Sequence, residues 1–324
     1  MIYSAHYITG AKLVLKLPSG GATTATVLTA FTPFTLSPVL RVSLQPGFGP
    51  SSEAILKLHD RRCLVNTREE YGDTPVYTPE REILYREYLD ALSRGDANPC
   101  NFDDLGVEHE FTDGEFEAYL AHTARKLYHA ELSTYERLKS LQGSRIPRFY
   151  SAVSYEDGLD VIQGILIEFV PSISLRSFIS HNPPFPHEVI AQVCDDAISL
   201  IHHLSDALVL NEDVRLDNVL VRTSNRRCIL IDLTHCRSRR DDESEADWVA
   251  VKWSQDEEGA IGHVATRVIK EALGSKVWVY KPSLRFCRPL PSVSSHFCQP
   301  SGSNLHHSNI LSQSTMQVTL VRHT

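Results

Sequence analysis

The sequence lacks the features that mark disulfide scaffolds, zinc ribbons and membrane proteins. Its seven cysteines are odd in number, scattered from Cys63 to Cys298, and form no CxxC pair. Disulfide frameworks and zinc ribbons need paired or closer spacing, so we expect reduced thiols. No apolar segment approaches the length that spans a bilayer, and no basic run precedes an apolar core at the N-terminus. We therefore expect a soluble intracellular protein, cytoplasmic or nuclear, with no membrane partner.

The chain also contains fewer basic residues than acidic residues. The 324 residues carry 32 Lys and Arg against 40 Asp and Glu, a formal net charge of −8. Nucleic-acid binding requires clustered Lys and Arg, which we do not find, so no nucleic-acid partner is expected. The contents of hydrophobic residues, 42%, and charged residues, 22%, are ordinary for a globular protein. The expected partners are small molecules or proteins, and the length allows one large domain or two lobes.

The first part of the chain predicts a small antiparallel sheet. Thr, Val, Leu and Ile are frequent after residue 21, and the turn-forming segments "TPFTLSP" and "QPGFGPSS" interrupt them. Residues 1–21 are predicted to be an N-terminal extension. Residues 64–112 are polar, contain the loop "NPCNFDD", and are predicted to be an irregular insertion. The predicted strands are 23–31, 38–45 and 53–59.

Helical patterns are more frequent in the second part. Thr112 and Glu115 fit a capping box, and apolar residues then recur at helical spacing until Gly143, a length that predicts one bend or break. The segments "FYSAVSY", "VIQGILIEFV" and "CILIDL" predict strands, and residues 187–204 predict a second helix. This order predicts an α+β protein with two lobes. The lobes are predicted at 22–170 and 171–274, with a disordered tail at 275–324.

One lysine lies within an apolar strand. Lys57 stands between Leu56 and Leu58 in "EAILKLHD". If Lys57 points inward, the free-energy cost of burying its charge requires an acidic partner or an anionic ligand. Glu131 and Glu136 of the long helix are candidate partners. The alternative is that Lys57 lies on the solvated face of an edge strand while its two Leu neighbours face the core.

Three polar residues could form a site for a metal ion and for proton transfer. The segment "NEDVRLDNVLV" carries Asp213 and Asn218, and "CILIDL" contains Asp232. A hairpin through the turn "RTSNRR" would bring Asn218 and Asp232 to one end of two paired strands, where their oxygens suit Mg²⁺. Asp213 would then be free to accept a proton from a hydroxyl. Taken singly, each Asp is also consistent with an ordinary turn-forming residue.

Taken together, these features resemble the protein kinase-like fold over residues 23–273. The order is a strand lysine, a helix glutamate, a strand ending in "IEFV", an Asp with an Asn five residues later, and an apolar strand ending in Asp. The segments "PFTLSPVLRVSL", "ILKLHDRR", "STYERLKSLQGSRIPRFY" and "DVRLDNVLV" are similar to a group of fungal protein kinase-like proteins. The resemblance implies a small antiparallel-sheet lobe, a mainly helical lobe, and ATP and Mg²⁺ as cofactors.

The resemblance also implies which residues bind the nucleotide. Lys57, in "AILK", would hold the α and β phosphates. Glu131 would be its helix partner, because Tyr135 and Leu138 fill the apolar positions that follow the glutamate in the family. Ile167 resembles the gatekeeper. The residues from Glu168 to Val170 resemble the hinge, whose backbone would bind adenine.

The catalytic roles follow in the same way. Asp213 resembles the catalytic Asp that accepts the proton, and Arg215 stands in the place of the catalytic-loop lysine. Asn218 and Asp232 resemble the metal ligands. Asp256 is predicted to be the buried acid that supports the catalytic loop.

The chain departs from the family pattern at several places. No GxGxxG precedes Lys57; the hydroxyls and amides of Thr32, Thr35 and Ser37 could contact phosphate there, although a bulky Phe and two prolines in the turn limit backbone approach. Asn211 and Glu212 replace the His and Arg before the catalytic Asp. Leu and Thr replace the Phe and Gly after Asp232, and the absence of Ala-Pro-Glu implies a shortened helical lobe.

Two functions are consistent with this pattern. The first is an ATP- and Mg²⁺-dependent phosphotransferase that acts on a protein Ser/Thr or a small-molecule hydroxyl. The second is a pseudokinase that serves as a nucleotide-binding or protein-interaction module. Asp213, Asn218 and Asp232 favour the enzyme, whereas the missing glycine-rich loop favours the module.

Overall fold

An antiparallel sheet that closes on itself forms the first part of the structure. The computed structural model describes residues 7–45, 52–72, 76–105, 109–158, 160–274 and 276–286. The strand order is β1-β2-β3-β4-β6-β5, and β1 pairs with β5 as well as with β2. The strands are β1 (Lys12–Lys16), β2 (Ala22–Ala30), β3 (Val39–Leu44), β4 (Glu53–His59), β5 (Phe149–Glu156) and β6 (Val161–Glu168).

The side-chain pattern explains this sheet. Buried and more exposed residues alternate along β1 and β3, as expected when only one face of a sheet is buried. The buried face supplies one apolar core, which includes Leu13, Val27, Leu40 and Leu56. The strands predicted at 23–31, 38–45 and 53–59 are confirmed to within one residue at each end. β1 lies within the predicted N-terminal extension, residues 1–21, and is part of the sheet.

The described part of residues 64–112 contains regular helices, contrary to the prediction of an irregular segment. They contain α1 (Val65–Glu70) and α2 (Pro79–Arg94), and they precede the long helix α3 (Asp113–Arg137). Buried ion pairs attach this segment to α3: Arg68 contacts both carboxylate oxygens of Glu117 at 2.6 and 2.9 Å, and Arg61 contacts Glu117 at 2.7 Å. Ion pairs therefore contribute to the regular structure of this segment. Because ion pairs do not produce a periodic pattern of apolar residues, no helical signal is visible in the sequence here.

The long helix begins at the predicted position but ends at Arg137, before the predicted end at Gly143. Thr112 caps it: its side chain accepts from the Glu115 backbone N–H, and the Glu115 side chain accepts from the Thr112 backbone N–H. The predicted break comes after Arg137, where a 3-10 turn, Lys139–Leu141, replaces the α-helix. α3 packs against β4 and β6, and Glu131 lies in its last third.

The second part of the structure is mainly helical and carries two small sheets. Its core includes Leu175, Val193, Leu200 and Ile261, and Tyr135 of α3 joins the same cluster. The sheets have the orders β10-β9-β7 and β11-β8. The elements are β7 (Ser172–Ser174), α4 (Leu175–Ile179), α5 (His187–Asp206), β8 (Val209–Asn211), β9 (Val219–Arg222), β10 (Cys228–Leu230), β11 (Cys236–Ser238), α6 (Glu245–Gln255) and α7 (Glu257–Leu273).

The segment after α7 packs against the helices as far as it is described. Tyr280 and Ser283 both bond to Glu258, and Trp278 Nε1 donates to Asp195 at 2.8 Å. The disorder predicted for residues 275–324 otherwise concerns positions outside the described residues. Within the described ranges, no helix is long and apolar enough to cross a membrane.

Candidate active site

A buried lysine joins the sheet to α3 and to the segment after β10. Lys57 Nζ lies 3.1 Å from Glu131 and 2.6 Å from Asp232 Oδ1. The side chains of Lys57 and Glu131 are 6% and 1% exposed, and that of Asp232 is 29% exposed. Lys57 therefore points inward, as in the first of the two predicted orientations. Glu136, the other candidate partner, is 79% exposed and pairs with Lys139.

The charges of this triad stabilise one another. Burial alone would lower the pKa of Lys57, but the carboxylates of Asp232 and Glu131 raise it well above its usual range. Burial would likewise raise the pKa values of Asp232 and Glu131, but Lys57 holds both below their usual ranges. All three groups are therefore ionised at neutral pH. A lysine ammonium has three N–H donors, so the two carboxylates leave one for an anionic ligand.

Asp232 is held in place by its backbone and by a neighbouring hydroxyl. Its φ of 61° lies in the left-handed region, which Asp adopts more readily than most residues. Thr234 Oγ1 donates to Asp232 Oδ1 at 2.5 Å, and the Leu233 backbone N–H donates to Glu131 at 3.4 Å. The residues that replace Phe and Gly after Asp232 therefore take part in the site.

The loop between β8 and β9 carries the second group of predicted residues. Asn218 Nδ2 donates to Asp213 Oδ2 at 3.2 Å and to the Asp213 carbonyl at 3.1 Å. Arg215 donates to the same Asp213 carboxylate at 2.5 Å, and its side chain is 57% exposed. The Asn211 side chain accepts from the Asp213 backbone N–H at 2.9 Å. Asp213 is thus held on both sides, with its carboxylate partly open to solvent.

The predicted hairpin connects these two groups. β9 pairs with β10 in antiparallel register, with Val219 opposite Leu230. The Ile231 backbone N–H then donates to the Asn218 carbonyl at 2.9 Å. Asn218 is therefore bonded to the residue that precedes Asp232, at one end of the two strands. The prediction that the hairpin brings Asn218 and Asp232 to the same end is confirmed.

Comparisons with known proteins give limited matches. No family model matches the chain. A segment of 92 residues is 30% identical to mitogen-activated protein kinase kinase kinase ANP1 from Arabidopsis thaliana, and the match spans 28% of this chain and 13% of that protein. The PknI kinase domain of Mycobacterium tuberculosis is similar over 80% of this chain and 79% of that domain, with 15% sequence identity and a TM-score of 0.39.

The sheet, the long helix and the helical part lie in the order that the sequence predicted. An antiparallel sheet presents a buried lysine, the following helix supplies the glutamate that binds it, and a helical part supplies Asp213, Asn218 and Asp232 from one loop and one hairpin. This is the arrangement that the resemblance to the protein kinase-like fold implies. The predicted α+β architecture, with the sheet first and the helices second, is confirmed. The closer resemblance to fungal kinase-like proteins stays a prediction.

The turn between β2 and β3, where the sequence has no glycine-rich loop, lies next to the lysine strand. The Leu58 backbone N–H donates to the Pro38 carbonyl at 3.0 Å, and Val39 pairs with Lys57. Ser37 is 9% exposed at this position. Ser37, which is predicted to contact phosphate, therefore directly precedes the two residues that pair with the lysine strand.

The predicted hinge follows β6 directly. The Glu168 backbone N–H donates to the Arg148 carbonyl at 2.8 Å, and the Glu168 carboxylate accepts from the Arg148 backbone N–H at 3.0 Å. The Val170 carbonyl accepts from Ser172 Oγ at 2.8 Å. The Arg41 guanidinium lies 4.1 Å from the centroid of the Phe169 ring. These contacts fix the hinge between β6 and β7 and beside the sheet.

The buried acid that bonds to the Asp213 loop is Glu257, so the prediction that Asp256 is buried there is wrong. Asp256 is exposed, and its side chain caps α7 by accepting from the Gly259 backbone N–H at 3.1 Å. Glu257 is 3% exposed and accepts from the Asn211 backbone N–H at 2.7 Å. Lys252 is the buried ionic partner of Glu257 and also donates to the Val209 carbonyl at 3.0 Å. The loop is therefore held two residues before Asp213.

Sequence reasoning also missed His59, which lies two residues after Lys57 on the same strand. Its Nε2 is 3.4 Å from Glu131 Oε2, and burial lowers its pKa, so the ring is neutral at neutral pH. The neutral His59 ring therefore packs beside the Lys57–Glu131 ion pair and does not compete with Lys57 as the cation that binds Glu131. The repeat of polar residues at positions 57 and 59 within an apolar strand is the signal that could have indicated it.

A glycine on β6 allows close approach to the lysine strand and gives a testable prediction. A Cβ at Gly164 would lie 2.6 Å from the Lys57 carbonyl oxygen. Gly164→Ala should therefore lower the free energy of unfolding by about 1–3 kcal/mol, as overpacking does. Urea unfolding measures the effect. Gly21→Ala is the matched control, because its Cβ would meet only Leu17 Cδ1 at 3.8 Å; equal stability of the two variants would contradict the prediction.

Proposed function

We propose that the protein is an ATP- and Mg²⁺-dependent phosphotransferase. The observation that carries the proposal is the buried triad in which Lys57 bonds to both Glu131 and Asp232, beside the loop that holds Asp213 against Asn218. A buried ammonium with one remaining donor suits the α and β phosphates of a nucleotide. The hinge from Glu168 to Val170 would bind adenine through its backbone, and Ser37 would contact phosphate.

The residues of the chain divide the proposed reaction between them. The acceptor hydroxyl oxygen forms a bond to the γ-phosphorus while the bond from that phosphorus to the β–γ bridging oxygen breaks, so that ADP leaves with the bonding electrons. Asp213 accepts the hydroxyl proton. Arg215, already bonded to Asp213, places positive charge where the γ-phosphate would lie, with a different reach from a lysine.

The donor set at the end of the hairpin fits Mg²⁺. Asn218 donates its Nδ2 to Asp213, which leaves Oδ1 as an oxygen ligand, and Asp232 makes its bonds to Lys57 and Thr234 through Oδ1. Carboxylate and amide oxygens together with phosphate oxygens are the ligands that Mg²⁺ prefers. When bound, Mg²⁺ would neutralise developing negative charge on the phosphates. Asn218 and Asp232 are the residues that would hold it.

The segment after Asp232 favours a small-molecule acceptor over a peptide. Only residues 233–244 separate Asp232 from α6, and within them β11 pairs with β8, the strand that leads into the Asp213 loop. Arg237 bonds both oxygens of Glu243 at 3.0 and 2.9 Å, which fixes this segment against itself. A segment this short and this constrained offers little surface for a peptide, so a hydroxyl on an amino alcohol or a sugar is the favoured acceptor.

One observation favours the alternative, a pseudokinase that serves as an interaction module. The backbone of the turn that replaces the glycine-rich loop is already engaged: the Thr35 carbonyl accepts from the Asn66 N–H at 3.1 Å. Leu36 packs against the apolar cluster of Leu64 and Phe116. A turn held in this way is less able to fold over phosphates than a free glycine-rich loop.

Nucleotide binding separates the enzyme from an interaction module that does not bind nucleotide. Mg·ATP at about 100 times its Kd should stabilise the enzyme by about 2.7 kcal/mol, because ligand binds only the folded state. Thermal unfolding should therefore show a higher Tm with Mg·ATP and a smaller increase with ATP in excess chelator. An unchanged Tm at millimolar Mg·ATP would contradict the enzyme and support the interaction module.

A further inference from the structure

Three side chains of types that bind transition metals converge beside the start of α3, away from the Lys57 site. Within the part of the chain that the structure describes, Cys100, His109 and Glu115 are the one group whose ligand atoms meet in this way, all within 4.8 Å of one another. His109 Nε2 lies 3.1 Å from Glu115 Oε1. The group brings together the end of the loop after α2, the segment before α3 and the first turn of α3.

The neighbouring contacts orient these side chains. The capping box fixes Glu115, because its Oε2 accepts from the Thr112 N–H at 3.4 Å. The His109 ring packs edge-on against Phe111, with the ring centroids 4.6 Å apart. Contacts of this kind position metal ligands in proteins, and they leave Glu115 Oε1 and His109 Nε2 directed at each other.

The thiol adds a third and softer ligand type to the cluster. Cys100, fifteen positions before Glu115, forms a side-chain hydrogen bond with the same carboxylate that His109 contacts. The other described cysteines, Cys63, Cys194, Cys228 and Cys236, are buried, whereas Cys100 is half-buried. A thiol that solvent can reach, beside an imidazole and a carboxylate, is a set that borderline-soft divalent ions prefer.

We propose that Cys100, His109 and Glu115 bind one Zn²⁺ ion, with water as the fourth ligand. Zinc ligands lie about 2.0–2.3 Å from the ion in a tetrahedral arrangement, so any two of them are about 3.3–3.8 Å apart. The ligand atoms of the cluster lie within 4.8 Å of one another, so zinc binding requires side-chain movements of about 1 Å. Binding releases the thiol proton to solvent and leaves a thiolate on the ion. The ion would tie the loop of Cys100 to the first turn of the helix that carries Glu131.

The test uses the full chain, treated with a chelator and then titrated with Zn²⁺ by calorimetry. Two variants remove the site: Cys100→Ser, and Glu115→Gln, which keeps an N3 side chain able to form the capping box but removes the negative charge. Each should bind one equivalent less than the parent. The matched control is His122→Ala, which removes a nearby histidine that bonds to Asp103 instead; it should keep the parent stoichiometry.

Cobalt gives a second readout that is specific for the thiolate. The parent loaded with Co²⁺ should show a thiolate-to-cobalt charge-transfer band, and His122→Ala should keep it. Cys100→Ser should lose the band, and Zn²⁺ should raise the Tm of the parent more than that of Glu115→Gln. If Cys100→Ser keeps both the band and the parent stoichiometry, zinc is bound by other histidines and cysteines of the chain, and the proposed site is wrong. The same conclusion holds if the parent binds no zinc.

Discussion

Asp213→Asn should lower the rate of phosphoryl transfer by about 10²–10⁴-fold and leave the affinity for Mg·ATP nearly unchanged. The asparagine side chain has nearly the same shape as aspartate, and the contact with Arg215 lies at the loop surface, so the loop should keep its conformation. What is lost is the group that accepts the proton of the acceptor hydroxyl. Transfer from labelled ATP to a panel of proteins, amino alcohols and sugars measures the rate, and calorimetry measures the affinity.

Two further variants make this result specific. Asp232→Asn should instead weaken Mg·ATP binding, because it removes a charged metal ligand and one partner of Lys57. Asp217→Asn is the matched control in the same loop: its carboxylate is 53% exposed and bonds to Arg176, and transfer should continue at the parent rate. If Asp213→Asn transfers phosphate or hydrolyses ATP as fast as the parent, the proposed role of Asp213 is wrong.

Local signals in the sequence were sufficient for much of the fold. The capping box at Thr112 and Glu115, the breakers between the first strands, and the polar turn between β9 and β10 each specify structure within a few residues. The hairpin prediction then placed Asn218 and Asp232 together correctly, because short antiparallel pairing leaves few alternatives. These features depend on neighbours in the chain, which the sequence displays directly.

Features that depend on long-range burial were not predictable in this way. Glu131 and Glu136 are five residues apart on one helix, yet one is 1% exposed and the other 79% exposed. The choice between them came from a resemblance. Asp256 and Glu257 are neighbours with the same charge, and a left-handed backbone at Asp256, with φ of 44°, starts α7 and directs only Glu257 inward. The residue types at positions 256 and 257 do not show that the backbone turns there, so the sequence could not distinguish the exposed Asp256 from the buried Glu257.

The charge pairing of Lys57 predicts how its removal changes stability. Lys57→Met leaves Glu131 and Asp232 as buried carboxylates without their cation, and the free energy of unfolding at pH 7–8 should fall by about 3–5 kcal/mol. Urea unfolding of the parent and the variant measures this difference. The matched control is Lys12→Met, at an exposed position of β1, where the change should be small.

The loss should also depend on pH, and the sign follows from the pKa directions. In the parent, Lys57 holds the pKa values of Asp232 and Glu131 below their usual ranges, so their contribution to stability is fully present above about pH 4 and is lost as the pH falls further. In Lys57→Met, burial raises both pKa values instead, so the carboxylates destabilise the fold increasingly as the pH rises above about 4. The difference between parent and variant should therefore be largest near pH 8 and smaller near pH 5.

Glu131→Gln combined with Lys57→Met should recover part of the stability at pH 8, since it removes the more deeply buried charge. A loss that is equal at pH 5 and pH 8, and that the second substitution does not reduce, would mean that Lys57 contributes packing alone and that the triad is not an ion pair.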